Sequence, residues 1–391
     1  MDFPFPNRPG VPLDEGYLRI FRERPLVPAV LTGGRTGLRV TRHPGVRTVL
    51  SDDRFSREAW TGGTLFARTP ESLALAASDP PTHTRRRRAV QGWFTARRAE
   101  ADRPRIEALA ERLLDGLEKQ GPPADLIGGF ATPLPYTVIC DMLDIPVGDL
   151  GLLLPWVSAM MSAGRFPPEE VAAAHEGMRG YFADRLAGRL ARPGTDLLSA
   201  LATASGLSAD EIVVFGYGLL VAGGETTSNF LAACVLELIR RPDLIALLRD
   251  RPSLIPSAVE EFLRWVWFAG TGGRPHVAVA DVELAGTPLP RGTAVVPLTD
   301  AANRDPAAFP GADEFDPQRS PNPHAGFGHG RHMCLGAHHA RVELQVAIAA
   351  LLRRFGDLSL AVGADRLAWR DQMFIRGVWE LPVTWTPGQS R

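Results

Sequence analysis

The stretch Phe327-Gly328-His329-Gly330-Arg331-His332-Met333-Cys334-Leu335-Gly336 holds one cysteine in a glycine-rich loop. A helix-forming run from Leu335 to Leu352 follows it, and the positive end of a helix dipole lowers the pKa of a nearby thiol. Gly330 and Gly336 have no side chain, so the backbone can pass close to a large planar ligand. A lone cysteine is usually a buried, inert residue. The spacing Phe-x-x-Gly-x-x-x-Cys-x-Gly seldom arises by chance, however, and it argues against an inert role for Cys334, which lies where a loop can hold a thiolate.

This stretch resembles the haem-binding loop of the cytochrome P450 family, which usually has a histidine two residues before the cysteine, as His332 is here. The resemblance extends over nearly the whole chain. It implies haem b (iron protoporphyrin IX) with its iron bound by Cys334, in a loop to which Phe327, Gly330 and Gly336 contribute. The implied fold is mainly α (α+β): a helical domain with a smaller β region, and the haem between a long distal helix and the helix after the cysteine loop.

Composition sets limits on the class of protein. The 391 residues carry a net charge of −1, which favours neither nucleic acid nor an acidic membrane surface as a partner. Three widely separated cysteines argue against a disulfide framework and fit a reducing cytoplasm. The sequence shows no signal peptide and no run of ~18 uninterrupted apolar residues, so no membrane segment is expected. No linker is visible, and residues 1–391 are predicted to form a single cytochrome P450 domain.

Apolar periodicity gives a coarse secondary structure. Apolar residues three and four positions apart predict five helices after a small β region near the N-terminus. The fourth predicted helix, with 33 residues, is unusually long. Alternating or β-branched residues predict strands later in the chain. The predicted helices are Ile106 to Leu117, Pro133 to Leu143, Glu169 to Leu190, Ser208 to Arg240 and Ser253 to Trp267; the predicted later strands lie in Val277 to Leu284, Thr293 to Leu298 and Met373 to Trp385.

The long predicted helix contains Ala222-Gly223-Gly224-Glu225-Thr226-Thr227. Each interior glycine destabilises a helix by roughly 0.5–1 kcal/mol relative to alanine, so two in succession need a reason. Close packing on a neighbouring helix is one reason. The family resemblance implies another: Gly223 and Gly224 open a groove for dioxygen, and Glu225 and Thr226 are the acid and alcohol that deliver protons.

A haem has two propionates, which call for arginine and histidine side chains. His83 and Arg87 are four residues apart and so share one face of a helix. By resemblance these two, together with His332 and Arg274, bind the propionates. The flanking arginines of the run Arg85 to Arg88 are interpreted as a solvated charge run.

Glu-x-x-Arg occurs four times in the chain, so the pattern alone does not distinguish a structural pair from a surface pair. Three of the pairs are interpreted as surface pairs of little energetic value. Glu261 and Arg264 differ because they lie about seventy residues before Cys334, as a structural pair of the family does. By the same resemblance Arg319 is the third member of a buried network that holds the cysteine loop.

The resemblance implies a monooxygenase that activates dioxygen and hydroxylates or otherwise oxidises a small molecule. No flavin, nicotinamide or iron-sulfur motif is visible, so electrons are expected from a ferredoxin and an NAD(P)H-dependent ferredoxin reductase. Of 43 basic residues 42 are arginine, which with 39 glycines and 34 prolines indicates a GC-rich bacterial genome and suggests a specialised metabolite as substrate. Two alternatives remain: oxidative C–C or C–O coupling without oxygen insertion, and a haem-thiolate sensor or carrier.

Substrate class is inferred from segments that line the pocket in the family. They are apolar and aromatic with few charges, which favours a largely apolar or aromatic small molecule. These segments are Trp60 to Leu75, Trp156 to Phe166, Phe215 to Gly223, Trp267 to Gly273 and Met373 to Ile375.

Overall fold

Helices dominate the computed structural model, which describes residues 15–31, 34–60, 74–204, 206–269 and 273–387. Two π-helical turns, Ile127–Ala131 and Val221–Glu225, also occur. The α-helices are α1 (Glu15–Glu23), α2 (His43–Ser51), α3 (Ala74–Ala77), α4 (Thr82–Val90), α5 (Ala96–Gln120), α6 (Pro133–Leu143), α7 (Leu150–Met160), α8 (Pro168–Ala191), α9 (Leu197–Ala204), α10 (Ala209–Leu220), α11 (Thr226–Ile239), α12 (Pro242–Asp250), α13 (Ile255–Trp265), α14 (Thr299–Ala302) and α15 (Ala337–Arg354).

The strands are short, and they form three sheets in the described part of the chain. They are β1 (Leu26–Val30), β2 (Thr36–Val40), β3 (Phe55–Ser56), β4 (Ala124–Asp125), β5 (His276–Ala278), β6 (Val282–Leu284), β7 (Thr287–Leu289), β8 (Ala294–Pro297), β9 (Ser359–Leu360) and β10 (Pro382–Thr384).

The backbone divides into two compact units, Met1–Arg85 with Glu260–Leu335, and Arg86–Val259 with Gly336–Arg391. We call them the first and the second unit. The single domain expected from the sequence stays a prediction.

The first unit is built on a five-stranded sheet in the order β1-β2-β8-β5-β3. Strand β2 pairs antiparallel with β1 and parallel with β8. Apolar residues on one face of this sheet pack against α2, where Val46 and Val49 are fully buried beside Val40 and Val295. The sheet therefore holds α2 firmly, and α2 in turn contacts the short turn Gly330–His332 of the cysteine loop.

The second unit is mainly helical. Helix α5 packs along α15, and α8 packs against both α7 and α10. Two helix starts are fixed by side-chain caps: Thr95 accepts a hydrogen bond from the backbone of α5, and Ser208 forms a capping box with Glu211 at α10. These caps satisfy N–H groups that would otherwise lack partners at the helix ends.

The predicted helix from Ser208 to Arg240 is continuous but not uniform, because the π turn Val221–Glu225 separates α10 from α11. The combined run Ala209–Ile239 is long enough to cross a membrane, and its most apolar 18-residue window has mean hydropathy 1.4. However, 67% of its apolar window is buried inside the protein, as in the core helix of a soluble protein.

Most predicted elements lie within a few residues of observed ones, and Pro133–Leu143 has the same bounds in both. The predicted strands in Met373 to Trp385 are the main error, since this segment holds β10 and isolated bridges. Its backbone groups bond to separate partners instead of one neighbouring strand. The N–H of Phe374 donates to the carbonyl of Met161, whereas the N–H of Trp379 donates to the carbonyl of Ala368.

Candidate active site

The cysteine loop is closed by its own backbone. The N–H of Cys334 donates to the carbonyl of Phe327 at 2.8 Å, and the Cys334 side chain is exposed. Gly328 and Gly330 have φ of 73° and 67°, left-handed values that favour glycine. Helix α15 begins three residues after Cys334, so the thiol precedes the positive end of an 18-residue helix. This environment suits a thiolate.

The glycines of the loop serve different purposes. A Cβ on Gly330 would lie less than 3.0 Å from the carbonyl oxygen of Leu50, at the end of α2. A Cβ on Gly326 would come equally close to the carbonyl of Leu263. Close packing on backbone is therefore the observed reason for glycine at both positions. Around Gly336, by contrast, a Cβ would meet nothing within 4 Å among the described residues.

Cationic and imidazole groups of the first unit gather beside the loop. The rings of His83 and His332 are 4.2 Å apart. Burial, followed by the charge of Arg57, lowers the pKa of His332, so this ring is neutral. Burial also lowers the pKa of Arg274 to about 10. Three of the predicted propionate ligands, His83, His332 and Arg274, thus belong to this unit.

These residues fit a haem. Nε2 of His332 is buried and has no hydrogen-bond partner among the described residues, which is costly for a polar atom unless a ligand satisfies it. The neighbouring positive charges favour an anionic ligand. The exposed Cys334, two residues after His332, would supply a thiolate ligand for haem iron.

Helix α4 carries the remaining predicted propionate ligand. Arg87, half-buried in the second unit, follows His83 by one helical turn in α4. The neighbouring Arg86 was expected to be solvated, and that interpretation is wrong. Its side chain is buried and its Nε donates to Glu211 at 3.0 Å. Arg86 therefore ties α4 to the start of α10.

The two glycines of the π turn pack against α6. A Cβ on Gly224 would lie less than 3.0 Å from the ring of Tyr136, and a Cβ on Gly223 would lie 3.2 Å from Ile139. Close helix packing, the first reason considered from the sequence, is thus what the structure shows at both positions. A groove for dioxygen stays a prediction.

Glu225 is held in a buried polar network of the second unit. Its Oε1 lies 2.5 Å from Nη1 of Arg370, and its Oε2 accepts from the hydroxyl of Tyr136 at 3.3 Å. Asn229 donates to the Glu225 carbonyl at 2.8 Å and accepts from Arg370 at 2.7 Å. Burial, then the Glu225 charge, raises the pKa of Tyr136, so its hydroxyl remains a donor. The carboxylate is therefore oriented from both sides.

Thr226 is the first residue of α11. Its hydroxyl donates to the carbonyl of Ala222 at 2.5 Å, across the π turn. This bond commits the proton of the hydroxyl, so the oxygen is left as an acceptor for a water or substrate group.

Glu261, Arg264 and Arg319 lie together in the first unit. Arg264 donates two hydrogen bonds to Glu261, at 2.8 and 2.6 Å, and further bonds to the carbonyls of Asn303, Ala312 and Glu314. Nε of Arg319 lies 3.2 Å from both carboxylate oxygens of Glu261. The side chains of Glu261 and Arg264 are fully buried. The network ties α13 to the chain before the cysteine loop.

One of the other Glu-x-x-Arg pairs departs from the surface interpretation. Glu237 is fully buried, and it pairs with Arg241 as well as with Arg240 at 3.7 Å. The pair Glu100 and Arg103 is at 2.7 Å with the glutamate exposed, as expected.

Sequence reasoning missed two residues that touch Glu225. Tyr136 could have been suspected, because a glycine pair in one helix calls for a bulky partner in another. Arg370 lies 145 residues after Glu225 with no motif around it, and no local signal points to it. Among the segments predicted to line the substrate pocket, residues 61–73 and 270–272 lie outside the described residues.

Comparison with known proteins gives one family. A family model described as Cytochrome P450 matches residues 252–361. The chain is 42% identical to Mycinamicin IV hydroxylase/epoxidase of Micromonospora griseorubida and 40% identical to Nocardicin C N-oxygenase of Nocardia uniformis subsp. tsuyamanensis. Each match covers 98% of both chains.

A solved structure gives the same result for the fold. The LnmA cytochrome P450 hydroxylase from the leinamycin biosynthetic pathway of Streptomyces atroolivaceus S-140 has a TM-score of 0.90 and 41% identity. The match covers 98% of this chain and 99% of that one. The names of these relatives state hydroxylation, epoxidation and N-oxygenation, which does not favour the coupling alternative. The chain therefore belongs to the cytochrome P450 family and is a haem-containing monooxygenase that uses dioxygen and redox partners.

Proposed function

We propose that this protein oxygenates a largely apolar small molecule, a bacterial specialised metabolite, at a haem whose iron is bound by Cys334. The exposed thiol, in a loop closed by the hydrogen bond from Cys334 to Phe327, carries the proposal. When bound, a haem with a thiolate ligand supplies dioxygen activation. Residues 1–391 act as one catalytic domain in this proposal.

The loop residues have separate tasks. Phe327 accepts the backbone hydrogen bond that orients Cys334, and Gly330 lets the loop sit on α2. Gly336 leaves open space in which a planar ligand can lie. The network of Glu261, Arg264 and Arg319 keeps the preceding chain in position, because removing any member leaves a buried charge without its partner.

His83, Arg87, Arg274 and His332 bind the carboxylates of the cofactor in this proposal. Cations and neutral imidazoles suit propionates, because charge-assisted hydrogen bonds are shorter and stronger than neutral ones. His332 supports this role with its buried Nε2.

Glu225 and Thr226 move protons in this proposal. Glu225 is an acid whose buried carboxylate can exchange its contact with Arg370 for one with a water, and Thr226 offers a hydroxyl oxygen to the same water. Gly223 packs closely on Ile139 within the π turn, which ends at Glu225 and is followed directly by Thr226 at the start of α11.

Electrons come from a ferredoxin and an NAD(P)H-dependent ferredoxin reductase in the cytoplasm. Surface arginines such as Arg97 and Arg98 offer positive charge to an acidic ferredoxin. A reductase assay with a bacterial ferredoxin tests this choice, and faster turnover at low ionic strength is expected because charged surfaces steer association.

The substrate class follows from the relatives' names as well as from the apolar segments. Those names mention mycinamicin IV, nocardicin C and the leinamycin biosynthetic pathway, so the relatives act in the formation of different compounds. We propose a small molecule of comparable type, apolar or aromatic in its reacting part. A shift of the Soret band on titration with mycinamicin IV, nocardicin C and apolar fragments provides a first screen.

The test of the cofactor assignment is the difference spectrum of the reduced protein with carbon monoxide. A strongly red-shifted Soret band is expected for the wild type and for Cys140→Ala, because Cys140 is buried in α6. The band should be absent in Cys334→Ala. A band that persists in Cys334→Ala, or one typical of histidine ligation in the wild type, would contradict the proposal.

Product analysis under labelled dioxygen tests the reaction. Incorporation of oxygen-18 into the product supports oxygenation, whereas a coupled product without label would favour the oxidative coupling alternative. A protein that binds carbon monoxide but turns over none of the screened compounds would instead support a sensor or carrier.

A further inference from the structure

We infer that Arg57, supported by His276, is an additional ligand for a carboxylate of the cofactor. Neither residue belongs to the set expected from the sequence. The inference rests on the haem site proposed above, and all residues that carry it lie in the first unit.

Arg57 is fixed by hydrogen bonds to neutral groups. Its Nε donates to Nε2 of His276 at 3.0 Å, and its Nη1 donates to the carbonyl of Ala76 at 3.1 Å. The nearby carboxylate of Asp79 accepts from the backbone N–H of Arg57 at 3.2 Å and from the hydroxyl of Ser56. No salt bridge within the described residues reaches the guanidinium of Arg57. The hydrogen bonds therefore hold the guanidinium in place, and no direct ion pair with a described residue neutralises its charge.

His276 must be the acceptor in its contact with Arg57. Its Nδ1 lies 3.1 Å from the carbonyl of Arg274, a group that can only accept, so Nδ1 carries the proton. Nε2 then has a lone pair that faces Nε of Arg57. Burial, then the charge of Arg57, lowers the pKa of His276, which keeps the ring neutral. His276 thus orients Arg57 without adding a charge.

Positive charge accumulates around Arg57. Burial, then the charge of Arg274, lowers the pKa of Arg57 to about 9; the carboxylate of Asp79 offsets part of this shift, and Arg331 adds to it. Arg331 itself is paired with Asp53. Arg57 is joined through the ring of His276 to the backbone carbonyl of Arg274, one of the proposed propionate ligands. Partly buried cations placed together are unfavourable unless anions join them. A carboxylate of the cofactor beside Arg57 and Arg274 supplies a further anion.

Two carboxylates could provide the charge, one from the cofactor and one from an acidic substrate. The contact of His276, the partner of Arg57, with the backbone of Arg274, a proposed propionate ligand, favours the cofactor. The distinction can be made with a haem whose propionates are methyl esters, because this group keeps its shape and loses its charge.

The experiment measures the rate of haem transfer from the holoprotein to an excess of apomyoglobin, which needs no turnover. Arg57→Gln keeps the polar side chain and removes the charge, and we expect transfer to be about ten-fold faster, as for loss of one charge-assisted hydrogen bond. Arg54→Gln is the control, because Arg54 is three residues away, exposed and paired with Asp52 at 2.6 Å. This control should transfer haem at the wild-type rate.

The same comparison with haem dimethyl ester separates the possible causes. With the ester, Arg57→Gln and the wild type should release the group at equal rates. An unchanged rate with native haem would overturn the inference, and so would an equally faster rate with both forms, because Arg57 would then act on the fold alone. The midpoint potential of the haem should also become more negative in Arg57→Gln, since a positive charge is removed.

Three further variants complete the test. If Arg57→Gln does not fold, Arg57→Lys replaces it in the test. This variant should retain native haem more weakly than the wild type does, and it should retain the haem dimethyl ester as well as the wild type does. His276→Phe should accelerate transfer less than Arg57→Gln, and the double variant should be no faster than Arg57→Gln alone, as expected of a positioning residue. A normal carbon monoxide spectrum with unchanged transfer rates would remove this inference and leave the proposed function standing.

Discussion

Nη1 of Arg370 lies 2.5 Å from Oε1 of Glu225, and both side chains are buried. The guanidinium comes from the C-terminal segment of the second unit, while the carboxylate ends a π turn between two helices. A carboxylate in such a pair must exchange one partner before it can serve a water. The ion pair therefore combines a structural role with control over the proposed acid.

Arg370→Gln should destabilise the protein by about 3 kcal/mol, because it leaves the Glu225 carboxylate buried without its cation. Adding Glu225→Gln to this variant should recover part of the loss, since no buried charge then remains. Urea unfolding of the two single variants and the double variant measures this coupling. Arg366→Gln, at an exposed position nearby in sequence, should change the midpoint little. Strictly additive losses would show that the pair is energetically unimportant.

Gly224→Ala should destabilise the protein by about 1–3 kcal/mol, because the added methyl group must displace the ring of Tyr136. Gly218→Ala, six residues earlier in α10, is a matched control, since its Cβ would meet nothing within 4 Å in the described structure. That control should be neutral or stabilising by up to about 1 kcal/mol. Thermal or urea unfolding compares the two. Equal stability of the two variants would contradict the packing explanation for Gly224.

Arg264→Lys should cost several kcal/mol and weaken haem retention, although the charge is kept. A lysine cannot reproduce the two bonds to Glu261 and the bonds to three carbonyls, and the site is fully buried. Arg240→Lys provides the control from another Glu-x-x-Arg pair, because the Arg240 side chain is 55% exposed. Unfolding midpoints and the haem content of purified protein report the difference. Wild-type haem content in Arg264→Lys would argue against a role for this network in the cysteine loop.

Glu343, in α15, should make stability depend on pH. Burial raises its pKa from 4.5 to about 8, and its Oε2 has no hydrogen-bond partner among the described residues. Between these two values the unfolded chain loses this proton while the folded protein keeps it. The free energy of unfolding should therefore fall as pH rises from about 4.5 to 8, by up to about 4 kcal/mol. Below pH 4.5 this group contributes no pH dependence.

Glu343→Gln should remove that dependence and stabilise the protein at pH 8 relative to the wild type. Urea midpoints at pH 5.5 and pH 8 check this, with Glu107→Gln on the exposed side of α5 as the control. A wild-type midpoint that does not fall across this interval would mean that Glu343 ionises normally.

The sequence predicted elements well where local chemistry determines them. The bounds Pro133–Leu143 are the same in prediction and structure, because proline starts this helix and apolar residues continue it at helical spacing. The segment from Met373 to Trp385 was mispredicted as strands, since alternation alone does not reveal whether a neighbouring strand is present.

The candidate site was predictable to a similar extent. A rare motif marked Cys334, and a glycine pair marked the π turn before Thr226. Arg370 and Arg57 were missed because each meets its partner only through tertiary structure. Arg370 lies 145 positions after Glu225, and Arg57 lies 219 positions before His276. A lone arginine in a chain with 42 of them carries no information by itself.

Gly326 packs against the carbonyl of Leu263, and Gly330 packs against the carbonyl of Leu50. This close packing has a practical consequence for enzyme engineering. Any side chain at either position would push the loop away from α2 or α13 before it could influence catalysis. A directed-evolution library aimed at new substrates should therefore keep both codons fixed and place its diversity elsewhere. Randomising them would fill the library with misfolded members.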